Sequence, residues 1–167
     1  MADLQRSLWF QSADGRFGLS VPEPAVKELL KFCQDANDVE TGGIIIGRYS
    51  KDQATAVVDR ITGPPPDSMH FFAQFLRGVQ GLQELLNRVW SKQERLFYLG
   101  EWHYHPLPNP NPSADDVAQM QTIANSQKYA CPEPILLIVA GPPAKGWLFS
   151  ATVHPKRKQI EFLKESH

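Results

Sequence analysis

Five residues that lie far apart in the chain are of types that together can hold a metal ion and activate water for hydrolysis. His103 and His105 are two positions apart, and on a β-strand such residues leave the same face. Catalytic zinc takes three protein ligands, drawn from histidine and carboxylate, and keeps a fourth position for water. Asp116 supplies the third ligand if the chain turns back after His105, and Glu40 and Ser113 complete the set.

Each part of this set also has an ordinary structural explanation. An isolated His-x-His is more often a surface or core pair than a metal site. Ser113 followed by Asp116 is typical of a helix N-cap, and Glu40 beside two glycines is typical of a solvated loop carboxylate. Capping and metal binding are compatible, because a capping serine still holds its hydroxyl beside a metal bound one turn away.

The joint spacing is more specific than any of its parts. E-T-G-G-I-I-I-G begins at Glu40, H-Y-H-P begins at His103 and S-A-D-D begins at Ser113, with seven residues between the second histidine and the serine. The sequence therefore resembles the JAMM metallopeptidases of the MPN/JAB domain family, whose signature is a distant Glu followed by His-x-His, seven residues, Ser, two residues and Asp. In order of elements the resemblance covers roughly residues 17–153.

The resemblance implies a role for every signature residue. His103, His105 and Asp116 would hold one Zn²⁺ per chain, which lowers the pKa of its water and polarises the scissile carbonyl. Glu40 would be the general base that passes the proton of the water to the leaving amine. Ser113 would donate a hydrogen bond to the oxyanion of the tetrahedral intermediate.

The sequence departs from the family pattern in two mild ways. Tyr104 stands where the family often has a small Ser or Thr, and it should project to the face opposite the ligands. The segment 106–112 has proline at every second position, which we expect to stiffen the turn that returns Asp116 to the metal. Asp115 is a neighbouring alternative ligand, but the motif spacing favours Asp116.

The resemblance also implies a substrate class. Catalytic family members hydrolyse isopeptide or peptide bonds at the C-terminal tail of ubiquitin or ubiquitin-like proteins. The heptapeptide G-E-W-H-Y-H-P is most similar to the bacterial stand-alone branch, often associated with ubiquitin-like conjugation and with antiviral (CBASS-like) operons. The implied partners are a ubiquitin-like or C-terminally conjugated protein tail and activating- or conjugating-enzyme relatives.

Two other functions remain open at this point. A peptidase that trims sulfur-carrier tails or small peptides would carry the same five residues. A non-catalytic MPN scaffold typically lacks one or more signature residues, whereas none is missing here.

Composition excludes several other classes. The 167 residues carry 17 basic and 18 acidic side chains, and a net charge of −1 argues against a general nucleic-acid binder. No signal peptide or membrane span is evident, so we expect a cytoplasmic protein without membrane association. Cys33 and Cys131 have no C-x-x-C pattern and are expected to be buried free thiols.

The pattern of elements predicts an α/β fold with a mixed sheet. The resemblance implies that residues 1–167 form a single MPN-like (cytidine-deaminase-like) domain with a central mixed sheet flanked by helices. Helices are expected at 23–36, from Val79 over about four turns, and from Ser113 to about 125. Strands are expected at 9–11, 16–19, 43–48, 54–61, 69–75, 96–102, 135–140, 147–153 and 159–163.

Three further sets of aromatic or charged residues also have ordinary structural interpretations. Residues 69–75, with Phe71, Phe72 and Phe75, are either an edge or aromatic wall that binds substrate or, by the more common pattern, a core strand. Trp102 and Trp147 are expected to be core residues. The basic run 156–158 is expected to be a solvated turn between the last two strands.

Overall fold

The computed structural model describes residues 6–91 and 95–166. Its strands are β1 (Leu8–Gln11), β2 (Gly18–Val21), β3 (Thr41–Tyr49), β4 (Thr55–Ile61), β5 (Met69–Phe71), β6 (Gln74–Leu76), β7 (Phe97–His105), β8 (Ile135–Ala140), β9 (Leu148–Val153) and β10 (Glu161–Glu165). Its helices are α1 (Glu23–Ala36), α2 (Leu82–Ser91) and α3 (Ala114–Asn125), with a short 3₁₀ turn at Pro143–Lys145. None of the helices in the described ranges is long and apolar enough to cross a membrane.

Eight of the strands form one mixed sheet that closes on itself in the order β1-β10-β9-β8-β7-β3-β4-β2. Most neighbours are antiparallel, whereas β7 with β8 and β2 with β4 are parallel. The strands β5 and β6 form a separate hairpin. The expected α/β class with a mixed sheet and flanking helices is therefore confirmed.

The central strand β3 is buried on both faces because helices cover both sides of the sheet. Ile45 belongs to one core, which includes Val26 and Leu29 of α1, while Ile44 and Ile46 belong to a second core with α2 and α3. This alternation is the period of two that a strand imposes on its side chains. The sheet is thus held rigidly from both faces at the strand that runs beside the histidines.

Most of the predicted elements are confirmed. The helix at 23–36 has the predicted bounds, and the third helix follows Ser113, its N-cap. Trp102 is fully buried, Trp147 is half-buried and the basic run 156–158 is an exposed turn. Cys33 and Cys131 are buried free thiols, and burial raises the pKa of the Cys131 thiol to about 11.

Among the predicted elements, the stretch 69–75 and the start of the second helix differ most from the structure. The stretch 69–75 is a hairpin with a two-residue turn at Phe72 and Ala73, and its aromatic side chains are mostly exposed, with only Phe75 buried. Val79 lies outside α2 because Gly81 adopts a φ of +78°, which a helix does not permit. The carboxylate of Asp67 instead accepts hydrogen bonds from the backbone N–H groups that precede the helix.

Candidate active site

The strand β7 presents both histidines on one face. It runs through to His105, three residues beyond the predicted end, so alternation places His103 and His105 together and sends Trp102 and Tyr104 into the opposite core. Gly42 on β3 pairs with His103, and a Cβ there would collide with the Trp102 carbonyl and come within 2.9 Å of the His103 ring. A glycine is therefore needed at position 42 for β3 to pack closely against His103.

The first turn of α3 brings Asp116 to these histidines. The Asp116 backbone N–H donates to Ser113 Oγ at 3.1 Å, and the Ser113 N–H donates to Asp116 Oδ2 at 2.7 Å, which is a complete capping box. Asp116 Oδ1 lies 2.8 Å from Nδ1 of His103, and Oδ2 lies 3.5 Å from Nε2 of His105. Asp115 instead faces outward and accepts a hydrogen bond from Gln74 at 3.1 Å.

The three side chains fit a metal ion. One ligand atom from each of His103, His105 and Asp116 lies within 4.8 Å of the other two, and all three residues are buried. Nδ1 of His105 donates to the carbonyl of Asn109 at 3.1 Å, so Nε2 turns inward, where it has no hydrogen-bond partner among the described residues. A buried imidazole nitrogen without a partner, next to a carboxylate, matches the donor set that zinc prefers.

The electrostatics of the cluster favour a cation between its members. Burial lowers the pKa of His103, but hydrogen bonds to Asp116 and Glu101 outweigh burial and raise that pKa to about 9. Burial raises the pKa of Asp116, but the hydrogen bond from His103, the close approach of His105 and the hydrogen bond from the Ser113 backbone lower it well below its usual range. A bound dication would take the place of the shared protons, because metal ligands must be deprotonated.

Glu40 stands at the start of β3, beside the cluster. Its backbone N–H donates to the Phe71 carbonyl at 2.7 Å, and its own carbonyl accepts from Nδ1 of His70 at 3.0 Å, so the hairpin fixes its backbone. The side chain is half-buried, and burial raises the pKa of its carboxyl group despite the nearby His105. A carboxylate with a raised pKa is a stronger proton acceptor than an ordinary one, which suits a general base.

Two pockets meet at these residues. One, of about 240 Å³, lies between the β5–β6 hairpin and α3, and the other, of about 180 Å³, lies between the hairpin and the proline segment 106–112. Glu40, Ala73 and Ser113 line both. Asp116 lines the first pocket and His105 lines the second, while His103 is fully buried beside them.

A second polar cluster behind His103 was missed by the sequence reasoning. Glu101 is fully buried on the same strand face, and its carboxylate contacts His103, Arg77 and Gln119. Burial raises the pKa of Glu101, but the hydrogen bond to His103 and the charge of Arg77 lower it overall. The spacing of two before His103 could have placed Glu101 on the ligand face, whereas no local pattern identifies Arg77.

The fold and the site together define a hydrolase of the peptidase class whose cleft holds a candidate metal centre. The chain belongs to the family described as prokaryotic homologs of the JAB domain, which matches residues 22–152 and so takes in all five signature residues. This family assignment agrees with the expected MPN/JAB resemblance.

Individual relatives agree with this assignment. The chain is 38% identical over 151 residues to a protein of Enterobacter hormaechei subsp. hoffmannii (strain UCI 50) named CD-NTase/cGAS isopeptidase, covering 90% of this chain and 83% of that one. It is 28% identical over 130 residues to the probable metalloprotease y4qB of Sinorhizobium fredii (strain NBRC 101917 / NGR234), covering 77% and 78%. The solution structure of protein DSY2949 from Desulfitobacterium hafniense shares the fold, with a TM-score of 0.58 at 17% identity over 87% of both chains.

Proposed function

We propose that this protein is a zinc-dependent hydrolase that cleaves isopeptide or peptide bonds at the C-terminal tail of a ubiquitin-like protein or of a conjugated protein. The observation that carries the proposal is the buried group of His103, His105 and Asp116, of which Asp116 and His105 each line one of two adjacent pockets. The isopeptidase name of the Enterobacter relative supports the substrate class. We place this activity in a bacterial cytoplasmic pathway of antiviral defence or protein conjugation.

Zinc would be held by Nδ1 of His103, Nε2 of His105 and the carboxylate of Asp116. When bound, the ion supplies positive charge that polarises the scissile carbonyl and makes water a nucleophile at neutral pH. The protein contributes the geometry, because the second nitrogen of each ring is already engaged, His105 with Asn109 and His103 with Glu101. Neither ring therefore needs to reorient to bind the metal.

Glu40 is the proton carrier of the proposed reaction. Its carboxylate accepts a proton from the attacking water and delivers it to the departing amine, which would otherwise be a poor leaving group. The position on the cleft wall, between the two pockets, gives it access to both sides of a bound peptide bond. The carbonyl of the peptide lies in the cleft, while the amine side leaves through one pocket.

Ser113 supports the oxygen of the scissile carbonyl. Its Oγ accepts a hydrogen bond from the Asp116 backbone, which leaves the hydroxyl hydrogen available to donate into the cleft. A donor aimed at developing negative charge stabilises a transition state more than a ground state. Ser113 thereby serves both as the N-cap of α3 and as the last member of the proposed catalytic set.

The β5–β6 hairpin is the proposed binding edge for the substrate tail. Within the described residues β6 pairs only with β5, and Gln74 and Leu76 of β6 line the pocket beside α3. An extended tail can therefore add a strand along β6, with main-chain hydrogen bonds giving affinity. Phe72 at the hairpin turn and Leu107 across the second pocket, both more than half exposed, give that pocket apolar walls.

Cleavage of defined fusions tests the proposal. A ubiquitin-like protein with a C-terminal extension, the same protein joined to a lysine side chain, and a sulfur-carrier protein with a short extension are each incubated with the zinc-loaded protein. Mass spectrometry should show release at the last residue of the ubiquitin-like tail. Cleavage of the sulfur-carrier fusion alone would replace the proposed substrate, and cleavage of none of the three would overturn the proposal.

The Glu40→Gln variant tests the proposed proton-transfer role of Glu40 in the same cleavage assay. The amide cannot carry the proton, so cleavage should fall at least about 100-fold while zinc stays bound. Glu23→Gln on α1, where the carboxylate pairs with Lys27 at the surface, is the control and should cleave at the wild-type rate. Full activity in Glu40→Gln would remove Glu40 from the mechanism.

A further inference from the structure

A chain of buried polar contacts extends from His103 away from the cleft. Glu101 precedes His103 by two residues on β7, and its side chain is completely inaccessible to solvent. Its Oε2 lies 3.1 Å from Nε2 of His103 and accepts a second hydrogen bond from Gln119 of α3 at 2.9 Å. The carboxylate therefore touches the ring on the side opposite to Asp116.

Arg77 balances this buried carboxylate. It directly follows β6, its side chain is only 3% exposed, and its Nε donates to Oε1 of Glu101. A second guanidinium nitrogen donates to the hydroxyl of Tyr129 at 2.6 Å. The fork of the guanidinium is thus fixed on two sides.

Stability alone does not explain such a pair. Removing two charges from water costs several kcal/mol per ion, and apolar replacements of similar volume are often as stable or more so. The pair instead has a directional effect. Because Arg77 holds the Glu101 carboxylate in place, that carboxylate presents a fixed hydrogen-bond acceptor to Nε2 of His103. His105 has a comparable partner: its Nδ1, which points away from the site, donates a hydrogen bond to the Asn109 carbonyl.

We infer that Glu101 is a positioning residue of the metal centre, fixing His103 with its proton on Nε2 so that Nδ1 presents a lone pair to the site. Arg77 holds Glu101 in place, so the end of the substrate-binding hairpin and a metal ligand share one ion pair. This inference rests on the proposed zinc-dependent function. Glu101 contacts neither substrate nor metal and acts only through His103.

Zinc affinity measures this role without any substrate. In a chelator competition titration with Zn²⁺ alone, Glu101→Gln should bind zinc about 10- to 100-fold more weakly than wild type, the usual effect of losing an outer hydrogen-bond partner of a metal ligand. Glu161→Gln, at the surface of β10 where the carboxylate pairs with Arg16, is the matched control and should bind zinc like wild type. Equal affinity in folded Glu101→Gln and wild type would overturn the inference.

Nitrogen-15 spectra of the histidine rings test the same point without a variant. In the zinc-loaded wild type, His103 should carry its proton on Nε2 and coordinate through Nδ1, whereas His105 should show the reverse tautomer. A proton on Nδ1 of His103 would overturn the inference even if Glu101→Gln failed to fold. A wild type that binds no zinc would overturn the proposed function together with the inference, so the two failures are distinguishable.

Discussion

Ser113 and Asp116 hold each other at the start of α3 through two reciprocal hydrogen bonds, of 3.1 Å and 2.7 Å. Asp116 simultaneously faces His103 with its other carboxylate oxygen at 2.8 Å. The capping and metal-binding interpretations of this motif therefore describe the same geometry. Because the cap satisfies one carboxylate oxygen, the position of the proposed ligand is set by the helix terminus and not by a flexible loop.

Substitutions at Ser113 should separate capping from catalysis. Ser113→Ala should cost about 1 kcal/mol of stability, whereas Ser113→Gly should cost only a few tenths, because glycine is a tolerated N-cap. Both lack the hydroxyl, so cleavage of the ubiquitin-like fusion should fall about 100-fold or more in each. Thermal melts and kcat give the two readouts, and Ser113→Thr should retain both properties. If activity instead falls only as far as stability does, so that Ser113→Gly is nearly as active as wild type, then Ser113 acts only as a helix N-cap.

Zinc content should be about one ion per chain by elemental analysis, as expected for a three-ligand site. Asp116→Asn should lose most of this zinc because it removes the anionic ligand. Asp115→Asn is the neighbouring control and should keep it, since Asp115 faces Gln74 at the surface. Free zinc at 100 times Kd should stabilise wild type by about 2.7 kcal/mol. Zinc absent from untreated wild-type protein, or lost equally in both variants, contradicts the assigned ligands.

Phe72 should contribute to substrate affinity. Its ring is 56% exposed at the hairpin turn and lines the pocket next to His105. Partial burial of the ring by a bound tail is worth about 1 kcal/mol, so Phe72→Ser should raise KM roughly fivefold with little change in kcat. Phe162→Ser, a similarly exposed position (60%) on β10, is the control. Equal KM values in the two variants would place the tail elsewhere.

The sequence was informative where function follows from local spacing. Two histidines at i and i+2 share a face on a strand, and a serine three residues before an acid is typical of a helix N-cap. That Asp116 joins the histidines was implied by the resemblance to the JAMM signature and not by local spacing. The hairpin was missed because its turn, Phe72 and Ala73, has none of the usual turn residues. The Arg77 and Glu101 pair joins residues 24 apart in the chain and depends on tertiary packing, which no periodicity reports.

Buried His154 should make the stability of the protein depend on pH. Burial lowers its pKa to about 4, and its Nε2 lies 2.9 Å from Thr152 Oγ1, while Nδ1 has no partner among the described residues. The unfolded chain, with an ordinary pKa near 6.5, binds the proton more readily. The stabilising contribution of neutral His154 is therefore complete above about pH 6.5 and is lost progressively as the pH falls from about 6.5 to about 4.

Urea unfolding of chelator-treated protein at pH 7.5 and pH 4.5 measures this effect. Over that interval the free energy of unfolding of wild type should fall by about 2 kcal/mol more than that of His154→Gln, since the variant has no proton to gain at this position. The zinc ligands titrate in both proteins, so the comparison reports the effect of His154 together with its charge interactions with Asp116 and His103. A difference in unfolding free energy between wild type and variant that stays constant with pH would contradict the lowered pKa of His154.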